Sequence, residues 1–132
     1  MATLQGKKVV VIGGSAGIGY AVAKASLLSL ANHVLVVSSS LRNVDTAVQK
    51  LLAEPSLKGQ SNLANRVGGD VLNIRDTQAV RDFFNKVGEI DHLVITAGPS
   101  PSQRTTFKDA NLDDFKGLST LLARLRRSLR CV

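Results

Sequence analysis

One cysteine, one methionine, one tyrosine, two histidines, three prolines and no tryptophan occur in this 132-residue sequence. Each shortage excludes something. Cys131 has no second thiol to pair with, so the fold does not rest on an internal disulfide or an oxidising compartment, and the thiol is incidental. Aromatic residues at 4% leave little for base-stacking platforms. His33 and His92 each open an expected strand, and neither has a second histidine or cysteine at ligand spacing, so no metal site is expected. Long apolar runs are missing as well. Every run is short or broken by Lys24 or His33, and the first one starts at Lys8, which suits neither a membrane span nor a signal peptide and makes the cytoplasm the expected location. Acidic residues are absent from one end: all 10 precede residue 116, and Lys116, Arg124, Arg126, Arg127 and Arg130 follow unopposed. The formal net charge of +7 therefore belongs mainly to the tail and says little about the partner of the main body; neither nucleic acid nor a membrane is expected there.

Apolar content of 44% and charged content of 20% are ordinary for a globular chain, and the length suits one buried core. Lys8 to Ile12 is a β-branched run bounded by Gly13 and Gly14, the pattern of a strand buried on both faces. From Gly17 to about Leu30 the period turns helical, and Ile18, Ala21, Val22, Ala25 and Leu28 are expected to face the sheet. His33 to Val37 predicts a second strand. Asn43 to Ala53 predicts a helix with Val44, Val48, Leu51 and Leu52 inward, closed by Pro55. Glu54 to Asn65 is expected to be a polar loop. Arg66 to Val71 is a weaker strand, interrupted by Gly68 and Gly69; Asp76 to Val87 is a short helix; His92 to Thr96 is a fourth strand. Strand and helix alternate, so the fold class is α/β, a partial doubly wound parallel sheet of the Rossmann type in strand order 3-2-1-4 with flanking helices.

Between the first strand and the first helix stands Gly13-Gly14-Ser15-Ala16-Gly17-Ile18-Gly19. Glycine at the strand exit allows a turn that a side chain would obstruct, and glycine at the helix start lets a pyrophosphate approach the open amides. Alone this spacing is a weak signal, but after a strand and before a helix inside a βαβ unit it points strongly to a dinucleotide loop; the plainer alternative is an ordinary tight turn. With Ile12 in place of threonine, the stretch resembles the Thr-Gly-x-x-x-Gly-Ile-Gly loop of the short-chain dehydrogenase/reductase family. Asp70-Val71 resembles that family's Asp-Val beside the adenine. Asp91-His92-Leu93-Val94-Ile95-Thr96-Ala97-Gly98 is similar to its Asp-x-Leu-Val-Asn-Asn-Ala-Gly, with Ile95 and Thr96 replacing the asparagine pair. The resemblance runs from Lys7 to about Phe115 and implies hydride transfer between a nicotinamide and a carbonyl or alcohol. It implies cofactor contacts at Gly13, Ser15, Gly17, Ile18, Gly19, Asp70, Val71, Ala97 and Gly98.

About twenty residues past the loop, an NAD enzyme presents a carboxylate to the ribose hydroxyl. Here stand Ser38, Ser39, Ser40, Leu41 and Arg42. Hydroxyl donors and a guanidinium suit a 2′-phosphate, so NADP is favoured; the plainer alternative is a polar turn beside a solvated arginine.

Tyr20 and Lys24 repeat the Tyr-x-x-x-Lys spacing of the family's catalytic pair. In the family, however, that pair lies on a late helix facing the nicotinamide, where the tyrosine is the general acid or base and the lysine lowers its pKa. On the first helix both are expected to point away from the sheet with Leu27 and Ala31, and no catalytic residue is assigned. Asp113-Asp114 suits a helix start, and Ser100 and Ser102 flank Pro101 without a partnered base. Residues 1–115 are thus expected to form the NADP-binding segment. Residues 116–132 carry Leu118, Leu121, Leu122, Leu125 and Leu129 on one helical face. That tail either covers the sheet, binds an anionic surface or partner, or is the product of a shifted frame or splice. The expectation is a family member that stops before its catalytic residues, self-associating or pairing with a complete relative; the alternative is a non-catalytic interaction module acting through its sheet edge and basic tail.

Overall fold

A computed structural model describes residues 3–97. Four parallel strands form one sheet in the order β3-β2-β1-β4, as the alternation predicts. They are β1 (Lys8–Ile12), β2 (His33–Ser38), β3 (Val67–Val71) and β4 (His92–Ile95). The valine-rich runs in β1 and β2 suit the centre of a parallel sheet, where both faces are buried; Val9 to Ile12, Val34, Val36 and Val37 are all inaccessible or nearly so. The register sets Ile12 beside Val37 and Ile95, and Val37 beside Asp70, which aligns the carboxyl ends of all four strands.

Helix α1 (Gly17–Leu28) and helix α2 (Leu41–Ala53) pack on this sheet. Ala23 and Leu27 of α1 and Ala47 and Leu51 of α2 join Val9, Val11, Val34 and Val36 in one cluster. Each buried Val or Leu stabilises the fold by about 1.5–3 kcal/mol. The phase of α1 differs from the expected one. Its buried residues are Gly19, Ala23, Ser26 and Leu27, while Ile18 is 76% and Leu28 45% exposed, and Ala21 and Ala25 are exposed too. Of the five residues expected to face the sheet, only Val22 packs against the core, and Tyr20 packs there as well instead of pointing away. Contact distance explains the reversal: the side of α1 that meets the sheet must carry small residues, and Gly19, Ala23 and Ser26 are the small ones at helical spacing.

The Glu54–Asn65 stretch is more structured than a loop. A 3-10 turn at Pro55–Leu57 puts Leu57 fully into the core, and a single helical turn, α3 (Leu63–Arg66), precedes β3. Arg66 thus ends a helix and does not open the strand. Its guanidinium donates to the carbonyls of Ala31 at 2.9 Å and Leu27 at 3.1 Å and to Gln60 Oε1 at 2.6 Å, tying the end of α1 to the approach to β3. β3 runs unbroken through Gly68 and Gly69. A Cβ on Gly69 would collide with Val44 Cγ1 and stand 3.1 Å from Val48 Cγ2, so the missing side chain is what lets α2 approach.

These elements, with Glu89–Ala97, form one compact unit; Asn73–Gly88 belong to a second. In that second unit α4 (Thr77–Val87) is capped by Asp76, whose carboxylate accepts from the amides of Gln78 and Ala79 at 3.0 and 3.1 Å. Phe83 and Phe84 meet edge to face with ring centroids 5.1 Å apart. Among the described residues no helix is long and apolar enough to cross a membrane, and no group of His, Cys, Asp and Glu is arranged to hold a metal. Gly98, Ser100, Ser102, Asp113, Asp114 and the 116–132 tail lie outside the described residues.

Candidate cofactor site

At the exit of β1 the chain turns on Gly13 (φ +90°), whose amide donates to Val37 O at 2.8 Å. A Cβ on Gly13 would lie 2.6 Å from Ala97 N, so only glycine fits both the dihedral and the space. Gly19 fits as tightly: a Cβ there would run into the Gly13 carbonyl oxygen and stand 2.5 Å from Thr96 Oγ1. Gly17 (φ +57°) is different, because a Cβ on it would project into open space. Among the described residues, nothing stands within 4 Å of that position at the start of α1. Its first turn holds no acidic residue and its N-cap, Ala16, supplies no side-chain hydrogen bond, which leaves the helix dipole and end amides available to an anion. Ile18 stands beside them, exposed.

The serine cluster assembles next to this loop. Ser15 Oγ lies 3.3 Å from Ser38 Oγ, bringing the glycine turn to the end of β2. The Ser38 carbonyl accepts from Leu72 N at 2.9 Å, which holds the end of β3 alongside. Ser39 is exposed, and Arg42 is exposed in the first turn of α2. The Ser40 hydroxyl accepts from Asn43 N at 3.5 Å and caps α2. Asp70 and exposed Val71 end β3, with the Asp70 carboxylate accepting from Val71 N at 2.8 Å. Ala97 lies against Gly13. The loop, the serines, Arg42, Asp70, Val71 and Ala97 all belong to the carboxyl-end side of the sheet.

Tyr20 and Lys24 belong elsewhere. Lys24 Nζ donates to Glu54 Oε1 at 3.0 Å and the Tyr20 hydroxyl reaches Glu54 Oε2 at 3.4 Å, joining α1 to the end of α2. Burial raises the Tyr20 pKa above its ordinary 10.0, and the charge and hydrogen bond of Glu54 raise it further against the opposing pull of Lys24. A tyrosine acting as acid or base near neutral pH needs the opposite shift. Glu54 was missed in the sequence because it sits 34 residues from Tyr20, with no pattern linking them.

A parallel sheet in the order 3-2-1-4, with its glycine loop at the β1 exit where the strand order reverses, defines a Rossmann-type fold. The family model described as short chain dehydrogenase matches residues 7–121. The chain belongs to the short-chain dehydrogenase/reductase family, whose members bind nicotinamide cofactors. It is 40% identical over 105 residues to the short-chain dehydrogenase/reductase ucsE of Acremonium sp, covering 74% of this chain and 38% of that one. It is 36% identical over 105 residues to an L-rhamnose 1-dehydrogenase (NAD(P)(+)) of Sphingomonas sp. (strain SKA58), covering 76% and 38%. The chain thus spans 38% of the length of these curated relatives. Among solved structures, a short chain dehydrogenase from Mycobacterium smegmatis superposes with a TM-score of 0.71 at 24% identity, covering 98% of this chain and 53% of that one. The L-sorbose reductase from Gluconobacter frateurii, complexed with NADPH and L-sorbose, gives 0.69 at 22% identity, covering 96% and 47%.

Proposed function

We propose that this chain supplies the NADP(H)-binding half of an oxidoreductase that moves hydride between a nicotinamide and a carbonyl or alcohol. The observation that carries it is the meeting of Ser15 and Ser38 beside the open volume at Gly17. In this scheme the Gly17 and Ile18 amides hold the pyrophosphate, Ser38, Ser39 and Arg42 receive the 2′-phosphate, and Asp70 and Val71 border the adenine. Ser40 contributes through its cap on α2. Between Ser38 and Arg42 no carboxylate stands to repel a 2′-phosphate or to bind a ribose hydroxyl, which favours NADP over NAD. Bound there, the nicotinamide supplies the hydride. The 132 residues lack the family's acid and base, since their one tyrosine is engaged with Glu54, and are proposed to bind cofactor without turning over substrate. Catalysis would then require more than these residues, for example pairing with a complete relative.

Titration with NADPH and NADH, alongside a carbonyl-reduction assay, tests this. NADPH binding that exceeds NADH binding and is abolished in Gly17→Val, where methyl groups enter the open volume and the φ is strained, supports the assignment. Unchanged affinity in a folded Gly17→Val protein, or a preference for NADH, overturns it.

A further inference from the structure

The sequence departs from the family pattern at Ile12, where a threonine is expected, and at Thr96, where an asparagine is expected, and the two departures meet in space. Thr96 N donates to Ile12 O at 2.8 Å, continuing the β1–β4 ladder. The Thr96 hydroxyl lies 3.1 Å from Gly13 O and 3.4 Å from Ile12 O. Because Ile12 O already accepts the Thr96 amide, the nearer Gly13 carbonyl is the acceptor for the hydroxyl proton. Ile12 itself is buried and devotes its side chain to the core.

Gly13 is therefore held from both sides. Its amide is bound by β2 through Val37 O, and its carbonyl by Thr96, the residue that follows β4. Against that same carbonyl rests Gly19, the third residue of α1, with Thr96 Oγ1 beside it. A glycine at φ +90° has more conformational freedom than any other residue, and that freedom must be removed for α1 to begin in one place. We propose that Thr96 is a positioning residue for the cofactor: its hydroxyl, standing just past the end of β4 in place of the one missing from position 12, fixes the Gly13 carbonyl and through it the N-terminus of α1 that faces the pyrophosphate. The cofactor part of this inference rests on the proposed NADP(H) function; the tether itself does not.

The test compares Thr96→Val, which keeps the shape and removes the hydroxyl, with Thr96→Ser, which keeps the hydroxyl. Amide hydrogen exchange of residues 13–19 is followed without cofactor, NADPH affinity is measured by fluorescence titration, and thermal melting checks the fold. Thr96→Val is expected to exchange faster over 13–19, with Lys8–Val11 unchanged, and to bind NADPH about tenfold more weakly, the loss of one hydrogen bond to a part-buried acceptor. Thr96→Ser should restore both. Wild-type exchange over 13–19 in Thr96→Val, or equal defects in Val and Ser, overturns the tether. Normal NADPH affinity in a Thr96→Val protein whose loop does exchange faster overturns the positioning role. If the wild-type chain binds no NADPH while the exchange results follow the expectation, the tether stands and the cofactor proposal falls. Should Thr96→Val not fold, Thr96→Ala takes its place in the same comparison.

Discussion

Tyr20 and Lys24 share the spacing of a catalytic pair, yet both side chains turn to Glu54 at the end of α2. Removing the phenolic proton there would place a second negative charge beside the carboxylate in a partly buried setting, so the fold favours the neutral phenol. Tyr20 is the only tyrosine and there is no tryptophan, so tyrosinate absorbance reports this one group directly. Its midpoint should lie above 10.0. Glu54→Gln should lower it only in part, because burial is the larger cause and remains. The sign of the stability effect follows. A pKa raised on folding adds stability that is fully present below the unfolded value of about 10 and is lost as pH rises through the folded one. Tyr20→Phe should remove that alkaline loss and leave NADPH binding unaltered; a tyrosinate midpoint below 10.0 would contradict the whole account. At Ser38, the residue scale decides cofactor choice. Ser38→Asp should shift preference from NADP toward NAD by about 1–3 kcal/mol, the scale of a charged hydrogen bond lost or a repulsion added. If the ratio of the two affinities does not move in Ser38→Asp or in Arg42→Ala, the serines are only a turn.

Elements were legible where composition and environment agree. Short, β-branched, uninterrupted runs such as Val9–Ile12 and Val34–Val37 point to central strands, and the order of all four strands follows from strand–helix alternation and crossover handedness. The glycine loop was legible for the same reason, because each of its dihedral and contact demands calls for the same residue. The phase of α1 was not. Apolar residues occur all round that helix, so hydrophobicity points nowhere, and the contact of Gly19 with Gly13 sets which side faces the sheet. Gly69 shows the same confusion of absence with weakness. A lone glycine in a strand lowers its propensity by about 0.5–1 kcal/mol relative to alanine, which predicts that Gly69→Ala stabilises. The packing predicts the reverse: a Cβ there meets Val44, and overpacking costs about 1–3 kcal/mol. Denaturant unfolding of Gly69→Ala should therefore show a net loss, and adding Val44→Ala should cost less in the Gly69→Ala protein than in the wild type. Equal costs of Val44→Ala in both backgrounds would mean that α2 and β3 have room to spare.

At the scale of the whole molecule, binding and stability are one measurement. A ligand that binds only the folded chain stabilises it by RT ln(1 + [L]/Kd), about 2.7 kcal/mol at a hundredfold excess over Kd. For a chain of this size that corresponds to a rise in melting temperature on the order of 10 °C. The proposed site requires the ends of β1, β2, β3 and β4 to be in register at once, because the glycine turn, the serines, Asp70 and Ala97 come from four separate stretches of sequence. Partial unfolding of any strand would dissolve it, so NADPH should raise the melting temperature of the entire transition and not of one phase. NADH at the same concentration should raise it less, and Gly17→Val should abolish the shift while leaving the ligand-free transition cooperative. The same preparation should show no carbonyl reduction above background with NADPH, since Tyr20 is the one tyrosine available and its hydroxyl is engaged with Glu54. Turnover that disappears specifically in Tyr20→Phe would place the catalytic group on α1 after all; an NADPH-dependent melting shift without turnover is the outcome that the arrangement of these residues predicts.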